Sequence, residues 1–289
     1  MSYPVAHAGE LELSYGYGPR DENLRWAISG DITGNAPNIM SELTWRNLKG
    51  HEHYVGLNYS APSGWMGRAD IRIADFRSGG EVQDSDYKLD NRQGEYSRSL
   101  SATHGSNARD VALLIGQRRY LDEAITWSIT PVIGVSRNVT DLRMNDGMQA
   151  IPASGPYPDL NSSYRARFDS IMAGAETRWW FTQTLGLDMK WHHSWFNYSA
   201  EANWNLRTQF QHPVSFYHEG QGVDDRWVLG LLARVNSEWT MELSHSIRKG
   251  MFQNGLDVSN LANGARQNTL LRDVEWSSAA TSLVVHRVY

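Results

Sequence analysis

Asp84 and Asp86 lie two residues apart in the run Ser78-Gly79-Gly80-Glu81-Val82-Gln83-Asp84-Ser85-Asp86-Tyr87. On an extended strand that spacing puts both carboxylates on one side of the backbone. Two neighbouring carboxylates repel, so one pKa rises. Such a pair can hold a water as a general base or bind a hard cation. An Asx-rich turn with solvated charges fits the same residues. Other candidate groups are weaker. His192 and His193 are adjacent, so on a strand they face opposite ways and cannot act as one unit. His51 and His53 share a face, but their nearest carboxylate, Glu52, points away. No thiolate chemistry is open, because the chain has no Cys. Neither GxxxxGK[ST], HExxH nor a nucleophile elbow occurs, and no metal or cofactor is expected.

The elements that must position this pair are strands. Segment 226–235 sets Trp227, Leu229, Leu231, Ala233 and Val235 against Val228, Gly230, Leu232 and Arg234. Segment 185–192 sets Leu185, Leu187, Met189 and Trp191 against Gly186, Asp188, Lys190 and His192. One face is apolar and the other charged. A soluble sandwich buries the apolar face, whereas a membrane barrel turns it to lipid and keeps a polar lumen. The chain has 289 residues, 12 Trp, 13 Tyr and a formal net charge of -5. Its mean hydropathy is -0.52. Low hydropathy does not exclude a barrel, whose strands show only alternation. No apolar run approaches the ~20 residues of a membrane helix. Charges are mixed without a basic stripe, which argues against nucleic acid as a partner.

About ten such segments follow one another, with short turns and long polar loops alternating. Segments 9–30 and 40–61 flank loop 30–38, and Ala61-Pro62-Ser63-Gly64 is the next turn. Segment 65–76 leads to loop 77–93 and segment 95–120 returns from it. Turn 121–124 precedes segment 125–143, with Ile125, Trp127 and Ile129 on one face. Loop 144–161, segment 163–181, turn 182–184 and segment 185–199 come next. Loop 200–223, segments 226–235 and 239–248, loop 249–270 and segment 272–289 complete the chain. This predicts an all-β, antiparallel, up-and-down transmembrane barrel of about ten strands, with short periplasmic turns and long outer loops. Residues 1–289 read as one outer-membrane domain. Trp65, Tyr120, Trp127, Trp179, Trp180 and Trp239 sit beside the short turns and suit an aromatic girdle. Tyr289 ends the last strand, and Arg287 would have to snorkel to the interface. Met1-Ser2-Tyr3-Pro4 is followed by neither a basic nor an apolar stretch, which suggests a mature form whose start Met replaces a signal.

The run Ser41-Glu42-Leu43-Thr44-Trp45, then a hairpin, then Gly-Gly-x-x-x-Asp-Ser-Asp-Tyr resembles the omptins and their uncharacterised relatives. Omptins are ten-stranded outer-membrane, aspartate-dependent surface proteases of Gram-negative cells. The motif covers residues 41–87, and the layout of turns and loops covers nearly all of the chain. The resemblance implies that an Asp-x-His dyad faces the Asp pair and activates the water between them. At the family's spacing from Trp195 the dyad falls on Ala202 and Trp204, and neither can take a proton. Losing the base removes about 10²–10⁴ in rate. The expectation is therefore an omptin-like barrel that presents surface loops, with proteolysis lost or impaired. Its partners would be outer-membrane lipid, including lipopolysaccharide, and a peptide or protein at the outer loops.

Two alternatives stay open. In one, the barrel is an active endopeptidase whose catalytic residues are Asp84, Asp86 and a His from loop 200–223, either His212 or His218, although neither lies in an Asp-x-His spacing. In the other, the chain is a soluble β-rich binding module. On the barrel reading the inward positions include Arg68, Asp70, Arg72, Glu176, Arg178, Asp188, Lys190, Arg234, Glu242 and Arg248. These mixed charges predict ion networks filling a narrow lumen, a pedestal for loops rather than a porin.

Overall fold

The computed structural model of the protein describes residues 9–124 and 126–289. The expectations resting on Met1–Pro4 and on Ile125 lie outside the described residues. Among the described residues all regular structure is β. In chain order the strands are β1 (Glu10–Ile28), β2 (Ser41–Ser60), β3 (Trp65–Ser78), β4 (Glu81–Leu89), β5 (Gln93–Ala102), β6 (Ser106–Gln117), β7 (Arg119–Tyr120), β8 (Trp127–Ile151), β9 (Gly155–Trp180), β10 (Leu185–Asn203), β11 (Phe216–Arg234), β12 (Trp239–Asn260) and β13 (Arg266–Val288).

Every pairing is antiparallel, and β1 pairs both β2 and β13, so the sheet closes. At the turn-bearing end the ring runs β1-β2-β3-β6-β8-β9-β10-β11-β12-β13, ten strands in all. At the other end β4 and β5 replace β3 and β6 between β2 and β8. The ring is again ten strands around. Closure removes the free edges that a sheet in lipid cannot tolerate.

The two polarity patterns weighed in the sequence both occur, on the same strands at different heights. In β10, Leu185, Met189, Trp191 and Trp195 face outward and are exposed, while Asp188, His192 and Ser194 face inward and are buried. Beyond Trp195 the pattern inverts. Phe196, Tyr198, Ala200 and Ala202 are buried inside, and Asn197 and Glu201 face out. In β9 the same inversion separates Ile171, exposed, from Arg165 and Arg167, exposed, with Tyr164, Ala166 and Phe168 buried between them. Leu185 to Trp195 spans ~25 Å along the barrel axis at ~3.3 Å per residue and ~40° tilt, the height of a membrane belt. The first zone is therefore lipid-facing with a polar lumen, and the second is a water-facing extension with an apolar core. That core joins Leu24, Trp26, Trp45, Tyr164, Phe168, Trp276 and others into one cluster.

Much of what the sequence presents as long loops is this extension. β8 and β9 continue through 144–161 and are joined by residues 152–154 alone. Segment 249–270 contains the ends of β12 and β13 around a five-residue turn, 261–265. Loop 77–93 is mostly β4, and loop 200–223 shrinks to 204–215. Trp65, Tyr120, Trp127, Trp179 and Trp239 are exposed near the short-turn end. Trp180 does not join them, because its ring faces the Arg234 guanidinium at 4.0 Å. Arg234 keeps the inward parity of Gly230 and Leu232 but is exposed, because it lies at the turn-bearing mouth of the lumen. Arg287 lies over the Trp239 and Tyr289 rings, at 5.2 and 4.5 Å, which is how a cation is accommodated at that interface.

Candidate functional site

The Gly79–Gly80 kink aims the Asp pair. Both residues have positive φ, 68° and 93°. A Cβ on Gly80 would sit 2.5 Å from Thr103 Oγ1, so the position takes only Gly without rearrangement. Above the kink β4 lies between β2 and β5. Asp84 stands opposite Leu43 and Ser99, and Asp86 opposite Ser41 and Ser97. The strand Ser41–Trp45 and the Asp pair are thus hydrogen-bonded neighbours. Asp84 and Asp86 share the inward face with Val82, as their spacing requires, and both are partly buried.

Burial comes first in setting the state of this pair, and like charge second. The Asp84 carboxyl is pushed up to about 7 by desolvation and by Asp86, with Arg207 pulling the other way. Asp86 is also raised by burial, while the Ser41 hydroxyl, Arg207 and the Ser97 hydroxyl oppose the rise. The pair therefore keeps a proton into the neutral range. The cation facing it is Arg207. Two successive turns hold Arg207: its amide donates to Trp204 O at 2.9 Å, and Phe210 N donates to Arg207 O at 3.0 Å.

The positions where the resemblance places a dyad are filled by core. Ala202 is buried on β10, and Trp204 packs on Phe216 with ring centroids 4.7 Å apart. His212 is exposed and its Nδ1 donates to Asn203 Oδ1 at 2.8 Å. His218 is sealed, with no exposed surface. Its Nδ1 bonds Tyr164 Oη at 2.8 Å, and Tyr164 Oη bonds Tyr198 Oη at 2.6 Å. Its Nε2 lies 3.1 Å from Asp257 Oδ1, at ion-pair distance but angled away from an in-line hydrogen bond. Thr269 Oγ1 donates to Asp257 Oδ2 at 2.8 Å. The structure thus brings Asp84 and Asp86 together with Arg207, and brings His218 together with Asp257, Tyr164 and Tyr198. It sets His212 with Asn203. Arg207 carried no sequence signal beyond being the single basic residue of loop 200–223, and Asp257 was hidden in what reads as an Asn/Gly-rich loop.

Other histidines follow their strand parity. His192 turns inward to Glu176 at 2.9 Å, and His193 outward to Asp225 at 3.0 Å. His51 stacks on Tyr17, and His53 Nδ1 meets Tyr15 Oη at 3.0 Å, both on the outside. Below the apolar core the lumen is knitted by ions. Arg20 binds Glu22, Glu52 and Asp110, and Arg68 binds Asp70 and Glu176. Arg248 binds Asp224 through two nitrogens, at 2.7 and 2.8 Å. Lys190 and Arg178 both reach Asp188.

A closed ten-strand ring with a lipid-facing belt and a charged lumen defines an integral outer-membrane β-barrel. Residues 12–288 match the model of the Protochlamydia outer membrane protein family, and the chain belongs to that family. Its fold is similar to that of the outer membrane protease OmpT from Escherichia coli, with a TM-score of 0.80 at 11% sequence identity over 97% of each chain. The translocator domain of the autotransporter NalP from Neisseria meningitidis aligns with a TM-score of 0.41 at 10% identity, over 97% of this chain and 88% of that one. No curated protein sequence matches the chain.

Proposed function

We propose that this barrel presents its outer hairpins at the cell surface and that its proteolysis is lost or impaired. The observation supporting this reading is the partner of the Asp pair. Arg207 stands near Asp84 and Asp86, and a guanidinium offers hydrogen-bond donors but no acceptor. A group with no acceptor cannot take a proton from water, so on this reading the acid–base contribution of about 10²–10⁴ in rate is missing. Ala202 and Trp204 supply no substitute. His218 is spent inside the core on Tyr164 and Asp257, which does not favour it as the missing base. His212 would need loop 204–215 to leave its bonds to the rest of the rim. On this reading the outer hairpins and rim bind a surface ligand, either lipopolysaccharide or a peptide or protein partner. Hydrolysis of a mixed fluorogenic peptide library by the refolded barrel in lipopolysaccharide-containing micelles tests the reading. No cleavage above the blank is expected. Cleavage that disappears in Asp84→Ala overturns it.

One observation favours a second reading, an active endopeptidase. Two carboxylates that share a proton near neutral pH can divide the roles of acid and base without any imidazole. Asp84, raised to about 7 beside Asp86, meets that condition. Cleavage that needs both aspartates, persists in His212→Ala and His218→Ala, and falls as pH rises past about 7 would establish this version.

A further inference from the structure

The geometry points to a small-anion site in the lumen, formed by Arg226 with Arg72 and Arg248 and sized for a halide. The tier that holds these residues is neutral in sum, but its charges are segregated. Arg20 gathers three carboxylates, Glu22 at 2.6 Å, Glu52 at 2.8 Å and Asp110 at 2.7 Å. Arg248 takes Asp224. Arg72 is left with one loose contact, 3.5 Å to Glu52, and lies over the Tyr54 ring at 4.4 Å. Among the described residues Arg226 has no carboxylate within 4.0 Å; Glu52 and Asp110 attract it from farther off, while Arg72 and Arg248 repel it. Arg226 is only partly buried, and it lines the same cavity as Arg72 and Arg248, together with the carboxylates Asp70, Asp110 and Asp224. That cavity offers about 30 Å³ to water-sized centres. One water centre needs ~10–15 Å³, so the space takes two waters or one monatomic ion, not a phosphate or an organic acid.

An arginine held among other arginines in a narrow lumen is costly without a direct counter-charge. The carboxylates that line the cavity are engaged by Arg68, Arg20 and Arg248, so the direct partner left open to Arg226 is a mobile anion. The neutral donors suit it as well: His192 and Ser194 line the same cavity. The bound ion would complete the lumenal network between the Arg20 knot below the apolar core and the Arg68 cluster.

Chloride itself is the first probe. Thermal unfolding of the detergent-folded barrel is compared in chloride and gluconate at equal ionic strength, because gluconate is too large for the cavity. Chloride is expected to raise Tm by about 2–4 °C and to go on raising it with the logarithm of its concentration above Kd, as a ligand that binds only the folded state does. Arg226→Gln keeps a donor but removes the charge and is expected to abolish the difference. Equal Tm values in the two salts overturn the site, and leave Arg226 as a hydrated lumenal cation. Should Arg226→Gln fail to fold, crystals of the unaltered barrel in bromide decide the matter. An anomalous peak within about 3.5 Å of the Arg226 guanidinium supports the site, and its absence refutes it.

Discussion

Replacing Asp84 with Asn should stabilise this barrel at alkaline pH and leave it unchanged at acid pH. Asp84 has a folded-state pKa of about 7 against an ordinary value of 3.8. Between those values the folded protein binds a proton that the unfolded chain has released. Stability therefore falls as pH rises from about 4 to about 7, and the loss is complete above 7. Three units at ~1.4 kcal/mol each set a ceiling of about 4 kcal/mol. The pair is partly open to solvent, and screening brings the expected figure nearer 2 kcal/mol. Asn carries no proton to lose, and it also relieves Asp86 of its like-charged neighbour. Urea unfolding in phospholipid vesicles at about pH 3.5 and pH 8 reads the difference. The substitution should gain about 2 kcal/mol at pH 8 and almost nothing at about pH 3.5, below the ordinary carboxyl value. An equal effect at both pH values would show that Asp84 does not titrate in this range and would refute the argument from burial and repulsion.

Arg207→Met removes the cation that opposes the rise in both carboxyls, so the pH at which the gain from Asp84→Asn levels off should move up by about one unit in that background, with its onset near pH 4 unchanged. Tyr164→Phe leaves the Tyr198 hydroxyl and His218 Nδ1 without their shared partner; a loss of about 1–3 kcal/mol in chemical unfolding is expected, and none would mean the three groups are not coupled. Asp257→Ala removes the buried acceptor of Thr269 and the carboxylate beside His218 and should cost about 3 kcal/mol or more, checked by the same unfolding measurement. Planar-bilayer recordings should show no steady open level, because the Arg20 knot and the aromatic core lie in series in the lumen; a stable ohmic conductance would contradict that closure.

The barrel was legible where its lipid-facing stripe is regular. Leu185, Leu187, Met189 and Trp191 announce the belt, and parity alone separated His192 from His193. The short turns at 61–64, 182–184 and 236–238 lie where the strands reverse. Legibility failed above Trp195 for a physical reason. Once the outside of the barrel meets water, the outward residues become Asn197 and Glu201 and the inward ones Phe196 and Tyr198, so each face changes character in mid-strand. A window reading one apolar face sees the stripe end there and finds loop. The same inversion hid the site's surroundings. Asp84 and Asp86 stood out because like charges at strand spacing are conspicuous, and Gly79–Gly80 because only Gly suits that kink. Arg207 and Asp257 are single charged residues whose partners come from distant strands, and no local pattern marks them.

The inversion also bears on what the extension does. A lumen that were polar throughout would be a water column, and the Asp pair would be two solvated carboxylates at its mouth. Instead, Trp26, Trp45, Tyr164, Phe168 and Phe216 fill the extracellular half, and Trp26, Tyr164 and Phe216 pack against His218. That packing removes water from beneath the pair, and burial is the first cause of the raised Asp84 pKa. It also takes His218 and Asp257 out of reach of any substrate and converts a potential acid–base couple into a structural one. The aromatic core thus links two features that the sequence leaves separate: the raised Asp84 carboxyl, and the burial of His218 within the core. Exchanging Phe216 for Ala tests the link. It would take away a ring packed on Trp26, Trp204 and His218 and admit water to the core. The barrel should lose about 3–5 kcal/mol, and Asp84 should titrate closer to its ordinary range. A large loss of stability with the titration unmoved would show that the core supports the rim without setting its electrostatics.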